Sequence, residues 1–271
     1  MTLIDETFAR LRAEDEAALV AYVTAGDPAP KYTPKMAEAL IEGGADIIEL
    51  GVPYSDPIAD GPTIQEASTR ALKAGITPPR VMSIAKEIRK KHEIPIVLLT
   101  YYNPVHKMGL NKFLNMAKAS GVEGLVIPDL PFEEANDYWN AAKKNQIDTI
   151  FLAAPSTSNK RLESIVGHTS GFLYLVGVYG VTGARTQMQD STINLVKQFL
   201  PSTAGKVPLA VGFGISTPEH VRKVVAAGAD GAIVGSAFVK AIEENQKTPD
   251  KAVKKLRRMA RSLKSATRLN R

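Results

Sequence analysis

Eight short apolar runs recur along the chain, and each is followed by a segment with the spacing of an amphipathic helix. The runs are rich in β-branched residues and apolar on both faces, which is typical of parallel strands covered on both sides. The segments between them, such as "KYTPKMAEALIEGGA", repeat apolar residues at i, i+3 and i+4 and end in glycine, which predicts helices. The predicted strands lie within residues 18–26, 45–51, 95–102, 124–129, 148–155, 171–177, 207–214 and 231–237.

Eight successive strand–helix units favour a closed barrel over an open sheet. We therefore predict an α/β fold, a single (β/α)8 TIM barrel, with an extra N-terminal helix and a basic C-terminal helix. No linker-like stretch divides the chain, so residues 1–271 are expected to form one domain. The structural alternative, an open doubly wound sheet, would need a G-x-G-x-x-G turn after the first strand, and the "TAGDP" found there lacks it.

The net charge of +6 first suggests a nucleic-acid partner. However, residues 251–271 hold nine Lys and Arg and no acid, so the other 250 residues together carry −3. Within this tail Val253, Leu256, Ala260 and Leu263 recur at helical spacing, and no aromatic residues are interleaved for stacking on bases. We interpret the tail as a docked terminal helix with its basic face in water, and expect no nucleic-acid partner.

Several features of the composition point to a cytoplasmic protein. No run approaches the 18 apolar residues of a membrane span, and the N-terminus "MTLIDETFARLRAEDE" is charged, unlike a signal peptide. The chain has no cysteine, which excludes disulfides and thiolate chemistry and fits a reducing compartment. We expect no membrane association.

Carboxylates follow the second and fourth predicted strands, where the active site of a barrel lies. Glu49 ends the second strand, and Asp56 and Asp60 follow in a loop rich in proline and glycine. A Glu49 side chain that points into the barrel mouth would have a raised pKa and could exchange protons near neutral pH; the alternative is a strand end that faces solvent. Asp60 is placed either to act chemically or to cap the next helix, or both. Asp129 is a candidate ligand or the cap of the helix after it, and Asp56 is the weakest chemical candidate.

Glycines follow each of the last three strands, in "GVTGART", "GFGISTPE" and "VGSAFVKAI". Such glycines let backbone N–H groups approach an anion, and Gly235 with Ser236 is predicted to begin a helix, whose N-terminus favours phosphate. Ser216 and Glu219 are predicted to form a capping box. Any one of these glycines suits a plain turn; three at successive strand ends favour a phosphate site.

Other residue types are missing from the strand ends. None ends in Lys, which argues against a Schiff-base aldolase. The four histidines lack ligand spacing, so we expect no metal site. Carboxylates, tyrosines and a phosphate anchor suit acid–base chemistry on a phosphorylated substrate with a flat apolar part.

Seven motifs, in order along nearly the whole chain, resemble the tryptophan synthase α subunit. They are "YVTAGDP", "ELGVPYSDPIADGPTIQ", "LLTYYNPV", "LVIPDLPFEE", "GVTGAR" and "VGFGIS" followed by "GADGAIVGSA". The resemblance implies a TIM barrel that cleaves indole-3-glycerol phosphate into indole and glyceraldehyde 3-phosphate without metal or Schiff base. Tyr22 and Tyr54 depart from the family pattern, in which Phe is common at both positions.

The resemblance also implies residue roles. Glu49 would be the general acid–base group and Asp60 would accept a hydrogen bond from the indole N–H. Substrate contacts would come from Tyr22, Leu99, Tyr101, Asp129, Tyr174 and Thr182, of which Thr182 would contact Asp60 on closure. Phosphate contacts would come from Gly183, Phe213, Gly214, Gly235 and Ser236.

A partner is implied as well, a β subunit that carries pyridoxal phosphate and forms an α2β2 heterotetramer with this chain. No cofactor is then expected in this chain. The expected docking residues are Pro53, Asp56, Pro57, Asn103, Pro104 and Pro131. Three alternatives stay open: another phosphate-binding barrel such as an isomerase, which would usually need a Lys or Cys at a strand end; a stand-alone indole-releasing lyase; and a non-catalytic allosteric subunit.

Overall fold

The computed structural model describes residues 1–177, 185–212 and 214–269, the first six of the second range by their backbone only. Nine strands lie in this part of the chain: β1 Ala18–Thr24, β2 Ile47–Gly51, β3 Ile96–Leu99, β4 Gly124–Val126, β5 Asp148–Ile150, β6 Leu152–Ala153, β7 Leu173–Leu175, β8 Leu209–Val211 and β9 Gly231–Val234. The helices are α1 Leu3–Ala13, α2 Thr33–Glu42, α3 Pro62–Lys73, α4 Pro78–Arg89, α5 Tyr102–Met108, α6 Leu110–Ala119, α7 Asn136–Lys144, α8 Asn159–His168, α9 Arg185–Thr203, α10 Pro218–Ala226, α11 Ser236–Glu243 and α12 Pro249–Lys264, with 3-10 turns at Pro30–Tyr32 and Phe132–Glu134.

The strands form one parallel sheet in the order β5-β4-β3-β2-β1-β9-β8-β7-β6. The two ends of this order, β5 and β6, are separated in the chain by Phe151 alone. The Phe151 carbonyl accepts a hydrogen bond from the Tyr174 N–H at 3.0 Å, which continues the ladder across the gap. The sheet therefore closes on itself, and the predicted barrel is confirmed, with the predicted strand 148–155 formed in two pieces.

The extra N-terminal helix is also confirmed, and it closes one end of the barrel. Alternate strand residues point inward, and Val20, Val97 and Ile150 are among those that form the apolar filling. Ile4, Phe8 and Leu11 of α1 belong to the same buried cluster. Helix α1 therefore fills the end of the barrel formed by the amino-terminal ends of the strands.

The basic C-terminal helix α12 packs against α2 by one apolar face, as predicted. Ala252, Leu256, Ala260 and Leu263 are buried, whereas the predicted Val253 is only partly covered. The Lys264 ammonium lies 2.9 Å from a Glu16 carboxylate oxygen and 2.8 Å from one of Asp46. Among the described residues, neither α12 nor any other helix is long and apolar enough to cross a membrane.

Candidate active site

A cavity of about 1090 Å³ opens at the carboxyl ends of the strands. Because successive side chains of a strand point to opposite faces, every second residue of β1, β3 and β7 points into the barrel, toward this cavity. Seven of the predicted site residues line this cavity: Tyr22, Asp60, Leu99, Tyr174, Gly214, Gly235 and Ser236.

Glu49 lies on β2 directly opposite Tyr22 of β1 in the parallel register. Its side chain is fully buried, so it is not a strand end that faces solvent. Neither carboxyl oxygen has a hydrogen-bond partner in the part of the chain that the structure describes. Burial raises the pKa of Glu49, and the charge of Asp60 raises it further, to about 8. At neutral pH Glu49 is therefore mostly a neutral acid with a proton to donate.

Asp60 lies in the loop between β2 and α3, beside Tyr101. The Tyr101 hydroxyl accepts a hydrogen bond from the Ala59 N–H at 2.9 Å and is hydrogen-bonded to the Asp60 carboxyl. Burial raises the pKa of Asp60 to about 6, and the hydrogen bond with Tyr101 opposes this rise. The capping alternative is wrong, because the N-cap of α3 is Gly61 and no side chain caps it.

Two tyrosine rings line the cavity, and each packs against a glycine of the neighbouring strand or one that directly follows that strand. The Tyr22 hydroxyl lies 3.2 Å from the Thr24 hydroxyl oxygen, and a Cβ at Gly51 would overlap the Tyr22 ring. In the same way, a Cβ at Gly212 would overlap the ring of Tyr174. Together with Leu99, these rings give the cavity flat apolar walls.

The other side of the cavity is the N-terminus of α11. Gly235 is the N-cap of this helix and Ser236 is its first residue, as predicted. The first N–H groups of a helix lack acceptors within the helix, which suits them to bind an anion. The predicted cap of α10 is wrong by one residue: the Thr217 hydroxyl, not Ser216, accepts the His220 N–H, at 3.3 Å.

Lys240 and His220 also line the cavity, and sequence reasoning missed both. Lys240 lies four residues after Ser236, on the same face of α11. Its spacing from the predicted phosphate residue is the signal that would have found it.

Tyr101 and Asp129 are placed differently from the predicted substrate contacts. Tyr101 is buried under the loop of Asp60. A carboxylate oxygen of Asp129 accepts the Tyr102 N–H at 2.8 Å, so Asp129 caps the start of α5 and not the helix that follows it. Thr182, Gly183 and Phe213 lie outside the described residues.

The predicted docking residues lie beside the Asp60 loop with unequal exposure. Asp56, Asn103 and Pro131 are exposed, and Pro57 and Pro104 are partly exposed. Pro53 is buried in the free chain, so its prediction as a docking residue is corrected. Sequence reasoning missed Ile58, an apolar side chain that is 84% exposed next to Pro57.

Tyr54 connects this surface to the site. The Asn103 side-chain amide donates to the Tyr54 hydroxyl at 2.7 Å, and the Tyr54 ring lies 5.4 Å from that of Tyr101. The hydroxyl by which Tyr54 departs from the family pattern therefore has a hydrogen bond.

Among the described residues, no group of three His, Asp or Glu side chains is placed to hold a metal ion.

The family model for the tryptophan synthase alpha chain matches residues 8–268 of this chain. The tryptophan synthase alpha chain of Methanoregula boonei is 45% identical over 266 residues, which cover 98% of each chain. That of Arabidopsis thaliana is 45% identical over 263 residues, 97% of this chain and 94% of the relative. A crystal structure of the alpha chain from Legionella pneumophila superimposes with a TM-score of 0.89 at 34% identity, covering 98% of this chain and 97% of that one.

Proposed function

The chain belongs to the tryptophan synthase alpha chain family, and from that premise we propose that Glu49 and Asp60 are its catalytic pair. The reaction of this family is a carbon–carbon lyase step of tryptophan biosynthesis, the cleavage of indole-3-glycerol phosphate to indole and glyceraldehyde 3-phosphate. One observation carries the assignment: Asp60 lies close enough to the buried Glu49 for its charge to raise the pKa of that carboxyl, and the two pKa values are about 8 for Glu49 and about 6 for Asp60. Near pH 7 one is an acid and the other an anion, which is how paired carboxyl groups divide acid and charge-stabilising roles.

In the proposed mechanism Glu49 donates its proton to C3 of the indole ring. The ring then carries a positive charge and acts as an electron sink. The Asp60 carboxylate accepts a hydrogen bond from the indole N–H and stabilises that charge. The Glu49 carboxylate next takes the proton of the glycerol hydroxyl while the carbon–carbon bond breaks. The electron pair returns to the ring, indole and the aldehyde leave, and Glu49 is protonated again.

The cavity supports a definite orientation of the substrate. The phosphate would bind at Gly214, Gly235 and Ser236, where α11 presents its N-terminus. The indole ring would lie between Tyr22, Leu99 and Tyr174. Thr182, Gly183 and Phe213 keep their proposed roles through the resemblance alone, and Tyr101 and Asp129 would act by holding the loops around the substrate.

We also propose a β subunit as partner, in an α2β2 complex. The docking surface would contain Asp56, Pro57, Asn103, Pro104 and Pro131, with Ile58 as an added apolar contact. An exposed isoleucine that follows a partly covered proline is the kind of side chain that interfaces bury. Pyridoxal phosphate would belong to that partner, and this chain would need no metal or cofactor, act as one domain and work in the cytoplasm.

The first experiment supplies indole-3-glycerol phosphate to the purified chain, alone and with a β subunit, and follows both products. Glu49→Gln is expected to lower kcat by about 10²–10⁴-fold, as loss of a general acid does. Asp60→Asn is expected to lower it by about 10²–10³-fold, through loss of charge stabilisation. Glu66→Gln, on the exposed face of α3, is the matched control and should stay within twofold of wild type.

The same assay separates the alternatives. Weak cleavage by the free chain and strong activation by the partner support a subunit, whereas strong cleavage alone indicates a stand-alone lyase. An active Glu49→Gln complex would indicate a non-catalytic subunit. For the interface, Ile58→Asp should elute as free chain beside the β subunit on size exclusion. Leu72→Asp, a change at another exposed apolar residue, should still form the complex.

A further inference from the structure

Arg70 joins three elements of the barrel through two carboxylates. Its Nε and one Nη atom donate to the two oxygens of Asp27, at 2.8 and 3.0 Å, and its other Nη atom donates to Glu243 at 3.1 Å. The Asp27 side chain is fully buried, and those of Arg70 and Glu243 are 19% and 30% exposed. We call these three residues the Arg70 triad. Its two-point contact with Asp27 fixes orientation as well as distance.

The triad lies at the far ends of two helices that begin at the cavity. Helix α3 begins at Pro62, just after Asp60, and Arg70 lies two turns further on. Helix α11 begins at Ser236, in the proposed phosphate site, and Glu243 is its last residue. At 1.5 Å per residue, Arg70 lies roughly 12 Å along α3 from its start. The triad therefore joins the helix that follows the catalytic loop to the helix that would bind phosphate.

Between the triad and the cavity, the two helices pack on one tyrosine. Tyr22 forms a small buried cluster with Ala67 of α3 and Val239 of α11, and Ile64 packs against it. Tyr22 lies on β1, and Asp27 follows the end of that strand. Tyr22, which forms a wall of the cavity, is thus enclosed by the elements that the triad joins: β1 with its following loop, α3 and α11.

The loop that carries Asp27 is itself held closely. The Gly26 N–H donates to the Thr33 hydroxyl at 2.9 Å. Gly26 has φ +95°, and a Cβ there would lie 2.9 Å from the Cβ of Ile76. Asp27 is therefore a firm anchor, and a shift of Arg70 or Glu243 would be resisted at a defined place. Buried ion pairs contribute little net stability compared with apolar packing, so the triad matters more for geometry than for stability.

We propose that Arg70 is a positioning residue for the reaction. It holds α3 and α11 at the spacing at which Asp60 and the N-terminus of α11 engage the two ends of one substrate molecule. This inference rests on the proposed roles of Asp60 and of the phosphate site. It predicts that loss of the triad harms a ligand that spans both ends and spares one that occupies the phosphate end only.

The test uses the full chain and the change Arg70→Met. We expect kcat/KM for indole-3-glycerol phosphate to fall at least tenfold, since misplacement by about 1 Å costs up to 10²-fold. The Kd for glycerol 3-phosphate, measured by calorimetry, should stay within twofold. A barrel that was merely loosened would lose both together.

The matched control is Lys264→Met. The Lys264 side chain is 18% exposed, nearly the same fraction as the 19% of Arg70. Like Arg70, it pairs with two carboxylates, those of Glu16 and Asp46. These lie at the opposite end of the barrel, where residues contribute to stability and not to the site. The Tm of Lys264→Met should fall by about as much as that of Arg70→Met, while its kcat/KM stays within twofold of wild type.

If Arg70→Met does not fold, Arg70→Lys and Glu243→Gln carry the test. Each keeps part of the triad, and kcat/KM should fall at least threefold with the glycerol 3-phosphate Kd unchanged. Wild-type kcat/KM in these variants, or an equal loss in Lys264→Met, would overturn the proposal. If instead the catalytic roles proposed for Glu49 and Asp60 are wrong, Glu49→Gln and Asp60→Asn will remain active, and this result distinguishes the two failures.

Discussion

The Asp60 carboxylate lies close enough to Glu49 to raise the pKa of that buried carboxyl, although the two residues are eleven positions apart in the chain. Burial is the larger cause of the rise, and the charge of Asp60 adds to it. The two groups therefore differ in protonation near pH 7, and removal of the Asp60 charge should lower the pKa of Glu49.

The first prediction concerns the pH dependence of cleavage. The reaction needs Asp60 ionised and Glu49 protonated, so kcat/KM should rise through about pH 6 and fall through about pH 8. The substrate phosphate also titrates near 6, so Asp60→Asn is needed to assign the rising limb. In that variant the limb due to Asp60 disappears, and the falling limb should move to lower pH because the charge that raises the pKa of Glu49 is gone. A falling limb that stays in place would contradict the coupling.

The second prediction concerns stability. The pKa of Glu49 is raised from 4.5 to about 8, so between these values the folded chain binds more protons than the unfolded chain. The free energy of unfolding therefore falls as pH rises through this window. Glu49→Gln lacks this dependence. Relative to the variant, the wild type should lose on the order of 3 kcal/mol between pH 5.5 and 8.5 in denaturant titrations. Parallel curves would show that Glu49 titrates normally.

The third prediction concerns Tyr101→Phe. The change removes the hydroxyl that bonds Asp60 and accepts the Ala59 N–H. The pKa of Asp60 should rise, so the rising limb of kcat/KM should move to higher pH, with a stability loss of about 1 kcal/mol. Tyr54→Phe is the control, since its hydroxyl bonds Asn103 instead. A shift of the limb in both variants would point to a general effect on the loop.

The fourth prediction concerns Gly51→Ala. The added methyl would overlap the buried Tyr22 ring and force it toward the cavity. We expect a stability loss of about 1–3 kcal/mol and a higher KM, measured by thermal unfolding and the cleavage assay. Gly167→Ala, where an added Cβ meets no atom within 4 Å, should leave KM unchanged. Full activity in Gly51→Ala would mean that the Tyr22 ring can move freely.

Local pattern was sufficient for the barrel itself. The eight apolar runs predicted the strands because burial on both faces requires apolar residues at successive positions. The same logic predicted α12, and the enclosed strand led us to expect that Glu49 does not face solvent, which agrees with its full burial. Gly235 and Ser236 were predicted to begin a helix because small residues at that point are favourable helix starts.

Contacts between distant segments were decided by the tertiary structure. The hydrogen bond between Tyr101 and Asp60, the capping of α5 by Asp129 and the Arg70 triad all join residues far apart in sequence. The burial of Pro53 and the exposure of Ile58 have no periodic signal either. The physical reason is that periodicity reports which face of an element is covered, whereas the partner of a loop side chain depends on how closure of the barrel brings the loops together. The sequence by itself thus determined the elements and the acidic strand end, and only the closed barrel decided which groups surround the two carboxylates and set their pKa values.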